Sequence, residues 1–190
     1  MADVSARTRW TVDHLDELPD DEWKRYEIID GELLVTKSPR NEHQSTCGRF
    51  HQALVTWNDV TDLGHVLFAP GVIFSPVDSV IPDVVWVSRE RRAAIERADG
   101  HMYGAPELVI EVLSPGTTNE QRDREKKLTL YSRYGVQEYW IPDWRTQTVD
   151  VYRQRDGQLQ LVATLGRDDT LTPPLLPHFS VPVSWRFARL

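Results

Sequence analysis

The sequence predicts an α/β domain, a mixed central sheet with helices packed against it. Three observations carry that expectation. Short apolar runs bounded by Pro and Gly recur along the chain, two longer periodic segments interrupt them, and 190 residues suit one core of ordinary size. The elements come in the order helix, several strands, helix, strand, so residues 1–190 are read as a single domain.

Residues 13–23, DHLDELPDDEW, read as an acidic short helix or turn. YEIIDGELLVTKS follows, two apolar half-strands around Asp30-Gly31, a strong hairpin signal. Pro39-Arg40-Asn41 stops the hairpin, and Asn41 can cap a helix running to about Trp57. His43, Thr46, Phe50, Leu54 and Trp57 keep 3–4 spacing along it. GHVLFAP, GVIFSP and SVIPDVVWVS are three strand candidates, and Trp86 in the last alternates with apolar neighbours and reads as core.

Residues 89–99 look helical and charged; Arg89, Arg91, Arg92 and Arg97 read as a solvated face before a basic patch. Residues 107–113 form a strand buried on both faces, closed by the Ser114-Pro115-Gly116 turn. A helix from about Asn119 to Tyr134 then ends at Gly135. QEYWIPDW reads as a strand with Trp140 in the core, 143–147 as a turn, and TVDVYR and LQLVATL as an antiparallel pair. The tail from Thr172, with prolines at 173, 174, 177 and 182, reads as an irregular cover with one edge strand.

Hydrophobic residues at 40% and charged residues at 27% are those of a soluble globular protein. No run of about 18 apolar residues exists, so no membrane span is expected. The opening MADVSARTRW has no apolar signal segment, which leads to an expectation of a cytoplasmic protein. The single cysteine, Cys47, excludes an intrachain disulfide and a cysteine zinc cluster, and reads as a small buried thiol. A net charge of −7 weighs against nucleic-acid binding through overall charge.

The chemistry begins with an acid in the wrong place. Glu111 sits in the middle of Leu108-Val109-Ile110-Glu111-Val112-Leu113, where an unpartnered carboxylate costs several kcal/mol. Asp83 likewise opens the apolar run Val84-Val85-Trp86-Val87. Taken alone it reads as a turn residue; paired with Glu111 it reads otherwise. Alternation places Ile81, Asp83 and Val85 on one face and Val109, Glu111 and Leu113 on one face. If those faces coincide, the two acids need a shared proton or a divalent cation, and oxygen ligands alone point to Mg²⁺ or Mn²⁺. On the following helix Asp123, Lys127 and Tyr131 share a face, read either as a surface ion pair with an inward aromatic or as part of the site. Lys126 is the other candidate for the inward lysine.

PDVVWV, PELVIEVLSPGT, DREKKLTLY and GVQEYWIPD resemble, in that order, the Uma2 family of restriction-endonuclease-like proteins in the PD-(D/E)xK nuclease superfamily. YEIIDGELL resembles its opening hairpin, and the similarity spans about residues 26–152. The resemblance implies a PD-(D/E)xK restriction-endonuclease-like fold with Asp83 and Glu111 as metal-holding acids. It implies Mg²⁺ or Mn²⁺ as cofactor, nucleic acid (DNA first) as substrate, and a homodimer. The superfamily's lysine slot holds Leu113 here; by resemblance the lysine comes from the next helix as Lys127, with Asp123 as its partner. Glu27 on the hairpin is a candidate third acid, against an exposed hairpin residue. His43 on the first helix is a candidate flanking residue, against a surface or satisfied core histidine.

Three readings stay open at this level. The first is a metal-dependent endonuclease hydrolysing phosphodiester bonds. The second is a catalytically degenerate nuclease fold acting as a binding or regulatory module, favoured by Leu113 and the acidic balance. The third is a purely structural ion pair on Glu111.

Overall fold

The computed structural model describes residues 9–19, 21, 23–185 and 187. Parts of two expectations fall outside them: residues 20 and 22 of the acidic opening segment, and 186 and 188–190 of the tail. The first eight residues, on which the expectation about a signal segment partly rests, also lie outside.

A 3₁₀ turn over Val12–Glu17 answers to the acidic segment. The hairpin forms as expected from β1 (Lys24–Ile29) and β2 (Glu32–Lys37). Asp30 and Gly31 both take positive φ, 53° and 76°, which is what a two-residue hairpin turn demands. Helix α1 (Asn41–Thr61) runs past Trp57 to a left-handed Asp62. Its N-cap is Arg40, with no side-chain cap bond; Asn41 is the first helical residue and does not cap. Pro39 and the extended Arg40 end the hairpin without help from Asn41.

β3 (Gly64–Phe68) and β4 (Val72–Ser75) follow. The segment SVIPDVVWVS, expected as one strand, is two: β5 (Asp78–Val80) and β6 (Val84–Ser88). Pro82 lacks the N–H that a ladder needs, and the chain leaves one sheet before it and enters another after it. The expectation of one sheet is corrected accordingly. A four-stranded sheet runs β2-β1-β5-β4. A six-stranded sheet runs β10-β9-β8-β7-β6-β3, where β7 is Leu108–Ile110, β8 Glu138–Asp143, β9 Thr148–Arg155 and β10 Gln158–Leu165. This central sheet is mixed, because β7 and β8 are parallel while its other pairs are antiparallel.

Helix α2 (Arg89–Ile95) is shorter than the expected 89–99 and is capped by Ser88 Oγ, which accepts from the Arg91 N–H. The arginines of the cluster are engaged near the surface: Arg89 with Asp62, Arg91 with Glu107 at 3.7 Å, Arg92 with Glu96, and Arg97, beyond the helix, over the Tyr103 ring. The solvated-face reading of that cluster is the one seen. The expected helix 119–134 is three segments: α3 (Thr117–Gln121), a π turn (Arg122–Lys127) and α4 (Leu128–Tyr134), stopped by left-handed Gly135. The tail forms a short pair, β11 (Thr170–Leu171) with β12 (Val181–Pro182).

Alternation gives the central sheet two apolar faces. Val85, Val87, Val109 and Leu113 pack with Leu130 and Tyr131 of α4 on one. Val84, Trp86, Leu108, Ile110 and Trp140 pack with Phe50 and Leu54 of α1 on the other, which Leu176, Phe179 and Val183 of the tail complete. The result is a mixed α/β fold with its sheet flanked by helices. Among the described residues no helix is long and apolar enough to cross a membrane.

One glycine fixes how closely the edge strand approaches. A Cβ on Gly64 would lie 2.3 Å from the Val87 carbonyl oxygen and 2.9 Å from the Trp86 ring. Asn58 brackets the same residue, donating to its carbonyl and accepting from its N–H. Gly64→Ala is expected to lower stability by about 1–3 kcal/mol, read as a lower urea midpoint at unchanged slope. A wild-type midpoint would show that the β3 edge is free to move away.

Candidate active site

The two strand acids come together through strand register. β6 pairs antiparallel with β7 as Val84↔Ile110 and Val85↔Val109. One further step of that register sets Asp83 opposite Glu111, and directly opposed residues on antiparallel strands share a face. Strand β7 is also longer than its ladder to β6. Glu111 N–H donates to the Trp140 carbonyl at 3.1 Å and Leu113 N–H to Pro142 at 2.8 Å, so the parallel pairing continues through the expected 113. Asp83, 5% exposed, and Glu111, 4% exposed, both line one cleft of about 470 Å³.

Lys127 reaches that cleft from the π turn. Its Nζ donates to Glu111 Oε1 at 2.8 Å and to Glu27 Oε1 at 2.9 Å, and it is 2% exposed. A π turn inside a helix widens the backbone locally and is often found at functional sites. Here it buries Asp123, Lys127 and Tyr131 together. The neighbouring Lys126 instead reaches out to Glu32 on the surface, so Lys127 is the inward lysine. The surface ion pair weighed for Asp123 and Lys127 is not what forms. Asp123 receives a two-pronged bond from Arg122 at 2.7 and 2.9 Å, and acts on Lys127 only through its charge. An arginine fork next in sequence out-competes a single ammonium already held by two carboxylates.

Glu27 is not an exposed hairpin residue. At 3% exposure it accepts from Lys127 and from the Ile81 N–H at 2.8 Å, tying the hairpin sheet to the approach of β6. His43 is also buried, with Nε2 3.2 Å from Asp83 Oδ2 and Nδ1 3.4 Å from Cys47 Sγ. Asp83 is further held by the Val112 N–H at 2.9 Å and by Arg25 at 3.3 Å. Tyr131, expected to share the inward face with Lys127, donates its hydroxyl to Glu111 at 2.6 Å, and Arg25 belongs to the cluster although sequence reasoning gave it no role in it. The signal for Arg25 was present: it lies two residues before Glu27 and therefore on the same strand face.

The electrostatics follow from this packing. Burial pushes the Glu111 carboxyl up to about 7 against the pull of Lys127, with the charges of Asp83, Glu27 and Asp123 adding to the rise. Burial also works against Asp83, but the His43 bond and charge, the Val112 N–H and Lys127 hold it below the usual carboxylate range. Burial alone would strip Lys127 of its proton; Glu111, Glu27 and Asp123 outweigh it and hold that ammonium above the ordinary lysine value. Lys127 is a fixed positive charge, not a base.

The donor set fits a hard divalent cation. Both hydrogen bonds of the Glu111 carboxylate among the described residues fall on Oε1, which leaves Oε2 for a ligand beside Asp83. Glu27 supplies a third carboxylate close by. A softer set also exists, since His43, Cys47 and Asp83 each bring one donor atom within 4.8 Å of the others. It fits less well. Burial and the charges of Asp83 and Glu111 push the Cys47 thiol well above its ordinary range, and both His43 nitrogens are already engaged.

Comparison with known proteins agrees with this geometry. The family profile of Uma2, described as "Putative restriction endonuclease", matches residues 12–184. The chain belongs to the Uma2 family. A crystal structure of a putative nuclease of DUF820 from Anabaena variabilis superposes with a TM-score of 0.74 at 21% identity, covering 93% of this chain and 99% of that one. That likeness establishes the restriction-endonuclease-like fold. The type IIG restriction endonuclease BpuSI matches at a TM-score of 0.41 and 14% identity, over 76% of this chain and 14% of that one, and carries no argument. Comparison with curated proteins found no match. Within this Uma2 chain the superfamily's lysine slot is filled by Leu113, fully buried against α4, while Lys127 delivers an ammonium to Glu111 from the helix side.

The ionic character of the triad is open to a direct test. Lys127→Met leaves two buried carboxylates without their cation and is expected to cost about 3–5 kcal/mol, read by urea denaturation. Adding Glu111→Gln to that variant should recover part of the loss. A Lys127→Met chain as stable as the wild type would show that the carboxyls are protonated and the triad is not ionic.

Proposed function

We propose that this Uma2 protein is a divalent-metal-dependent endonuclease that hydrolyses phosphodiester bonds, with DNA as its first candidate substrate. The observation that carries the reading is the pair of buried acids opposed across β6 and β7 and open to a cleft, with Lys127 fixed on one of them. In this reading Asp83 and Glu111 hold Mg²⁺ or Mn²⁺, and Glu27 is available to a second or transient ion. Such a cation would supply Lewis acidity at the phosphate and favour deprotonation of the attacking water.

The chain's own groups do the rest. Lys127 pulls against the burial that raises the Glu111 carboxyl, ties Glu111 to Glu27, and places positive charge where the phosphate gains negative charge. Arg25 and Arg122, both lining the cleft, are placed to grip the non-bridging phosphate oxygens. Val112 N–H and His43 hold the Asp83 carboxylate in one orientation, which a ligand needs before it can bind a cation at low entropic cost. The positioning is spread over the hairpin, α1, two strands and the π turn.

The competing view, a structural ion pair that fills its own pocket, is disfavoured by the cleft that remains beside the triad and by Glu111 Oε2, which accepts no hydrogen bond among the described residues. Addition of Mg²⁺ or Mn²⁺ is expected to stimulate nicking of plasmid DNA. Glu111→Gln and Asp83→Ala should each lower the rate by at least about a hundredfold while circular dichroism still shows a folded chain. Folded wild-type protein that cuts no nucleic acid with either ion, and binds neither in calorimetry, would favour a binding module that has lost the chemistry.

A further inference from the structure

Trp23 adjoins the cleft through its hydrogen-bonded neighbour Ser38, which lines it, and is 68% exposed, more than any other large aromatic among the described residues. A single exposed apolar side chain is ordinary on a protein surface. Three features set this one apart. First, its backbone extends the hairpin by one pair: the Ser38 N–H donates to the Trp23 carbonyl at 2.9 Å, next to the Lys24↔Lys37 pair. Strand alternation therefore puts Trp23 on the side of β1 that carries Arg25, which touches Asp83, and Glu27, which touches Lys127. Second, the wall it adjoins is positively charged. Arg25, Lys37, Arg40 and Arg122 line the cleft around three acids, although the whole chain carries a net charge of −7. Third, the spacing suits an extended strand of nucleotides. At about 3.3 Å per residue, Trp23 lies about 7 Å along the strand from Arg25 and about 13 Å from Glu27.

On the nuclease reading above, we infer that Trp23 is a stacking platform for an unpaired nucleobase, and that the substrate class is a single-stranded or locally unpaired nucleic acid laid along this hairpin. The scissile phosphate lies at Asp83 and Glu111, Arg25 meets a neighbouring phosphate, and a base one or two nucleotides away lies on the indole. A base paired in a duplex has both faces covered by its neighbours, so only an unpaired base can use the platform. Every base has a π face, so the contact confers preference for unpaired strands without choosing a sequence.

The test uses the full chain in EDTA, where the metal-dependent reaction is stopped, with fluorescently labelled single-stranded DNA, single-stranded RNA and duplex DNA of equal length. Trp23→Ala is expected to weaken single-strand binding about tenfold, leave the duplex within twofold, and keep the wild-type melting temperature. Trp23→Phe should retain most of the affinity. An abasic spacer at one position of the single strand should weaken the wild type by a similar factor and leave Trp23→Ala unchanged. Whichever single strand, DNA or RNA, shows this dependence identifies the substrate sugar. Equal single-strand affinity for wild type and Trp23→Ala, or an equal loss on duplex, overturns the inference while metal-dependent cleavage by the wild type leaves the nuclease reading in place. Absence of both binding and metal-dependent cleavage in the wild type overturns the nuclease reading, and this inference with it.

Discussion

Three ionisable groups buried together constrain the rest of this molecule. Lys127 lies between Glu111 and Glu27 with almost no access to water, and none of the three is tolerable alone in that position. Each comes from a different part of the chain: the hairpin, the central sheet and the π turn. Folding must therefore bring those three parts into register at once, and an error in any of them leaves a bare charge inside. A purely apolar contact at the same place would serve stability as well or better. Retaining ions there is costly unless the charges have a use, and the adjoining cleft gives them one.

The break at Pro82 converts this constraint into a site. Because the chain changes sheets there, Asp83 is released from any ladder on its N-terminal side while remaining one step before β6. It can then be seized by the Val112 N–H and by His43 at the start of α1. The hairpin sheet lies over the same end of the central sheet, held there by the bond from the Ile81 N–H to Glu27. A cleft between two sheets thus forms where Glu27 of one meets Asp83 and Glu111 of the other.

Much of this was legible from residue patterns. Glu111 in an apolar strand and Asp83 at the head of another announced buried acids, and the Asp30-Gly31 turn announced the hairpin that carries Glu27. Other features were hidden for physical reasons. Helical phase alone could not choose between Lys126 and Lys127, because a π turn shifts the phase within the helix that contains them. The burial of Glu27 depends on a sheet packing that no local pattern encodes. The partner of Asp123 turned out to be Arg122, a neighbour in sequence that regular helix geometry directs away from it. Asn41 failed as a cap because Arg40 already holds the extended conformation that an N-cap needs.

The account stands on a hard cation shared by the two opposed acids, and a crystal soaked in Mn²⁺ and measured near the manganese absorption edge tests it most directly. It predicts an anomalous peak between the Asp83 and Glu111 carboxylates, lost in crystals of Glu111→Gln. A peak bound to His43 and Cys47 alone, or a cleft empty of anomalous density at millimolar Mn²⁺, would contradict it.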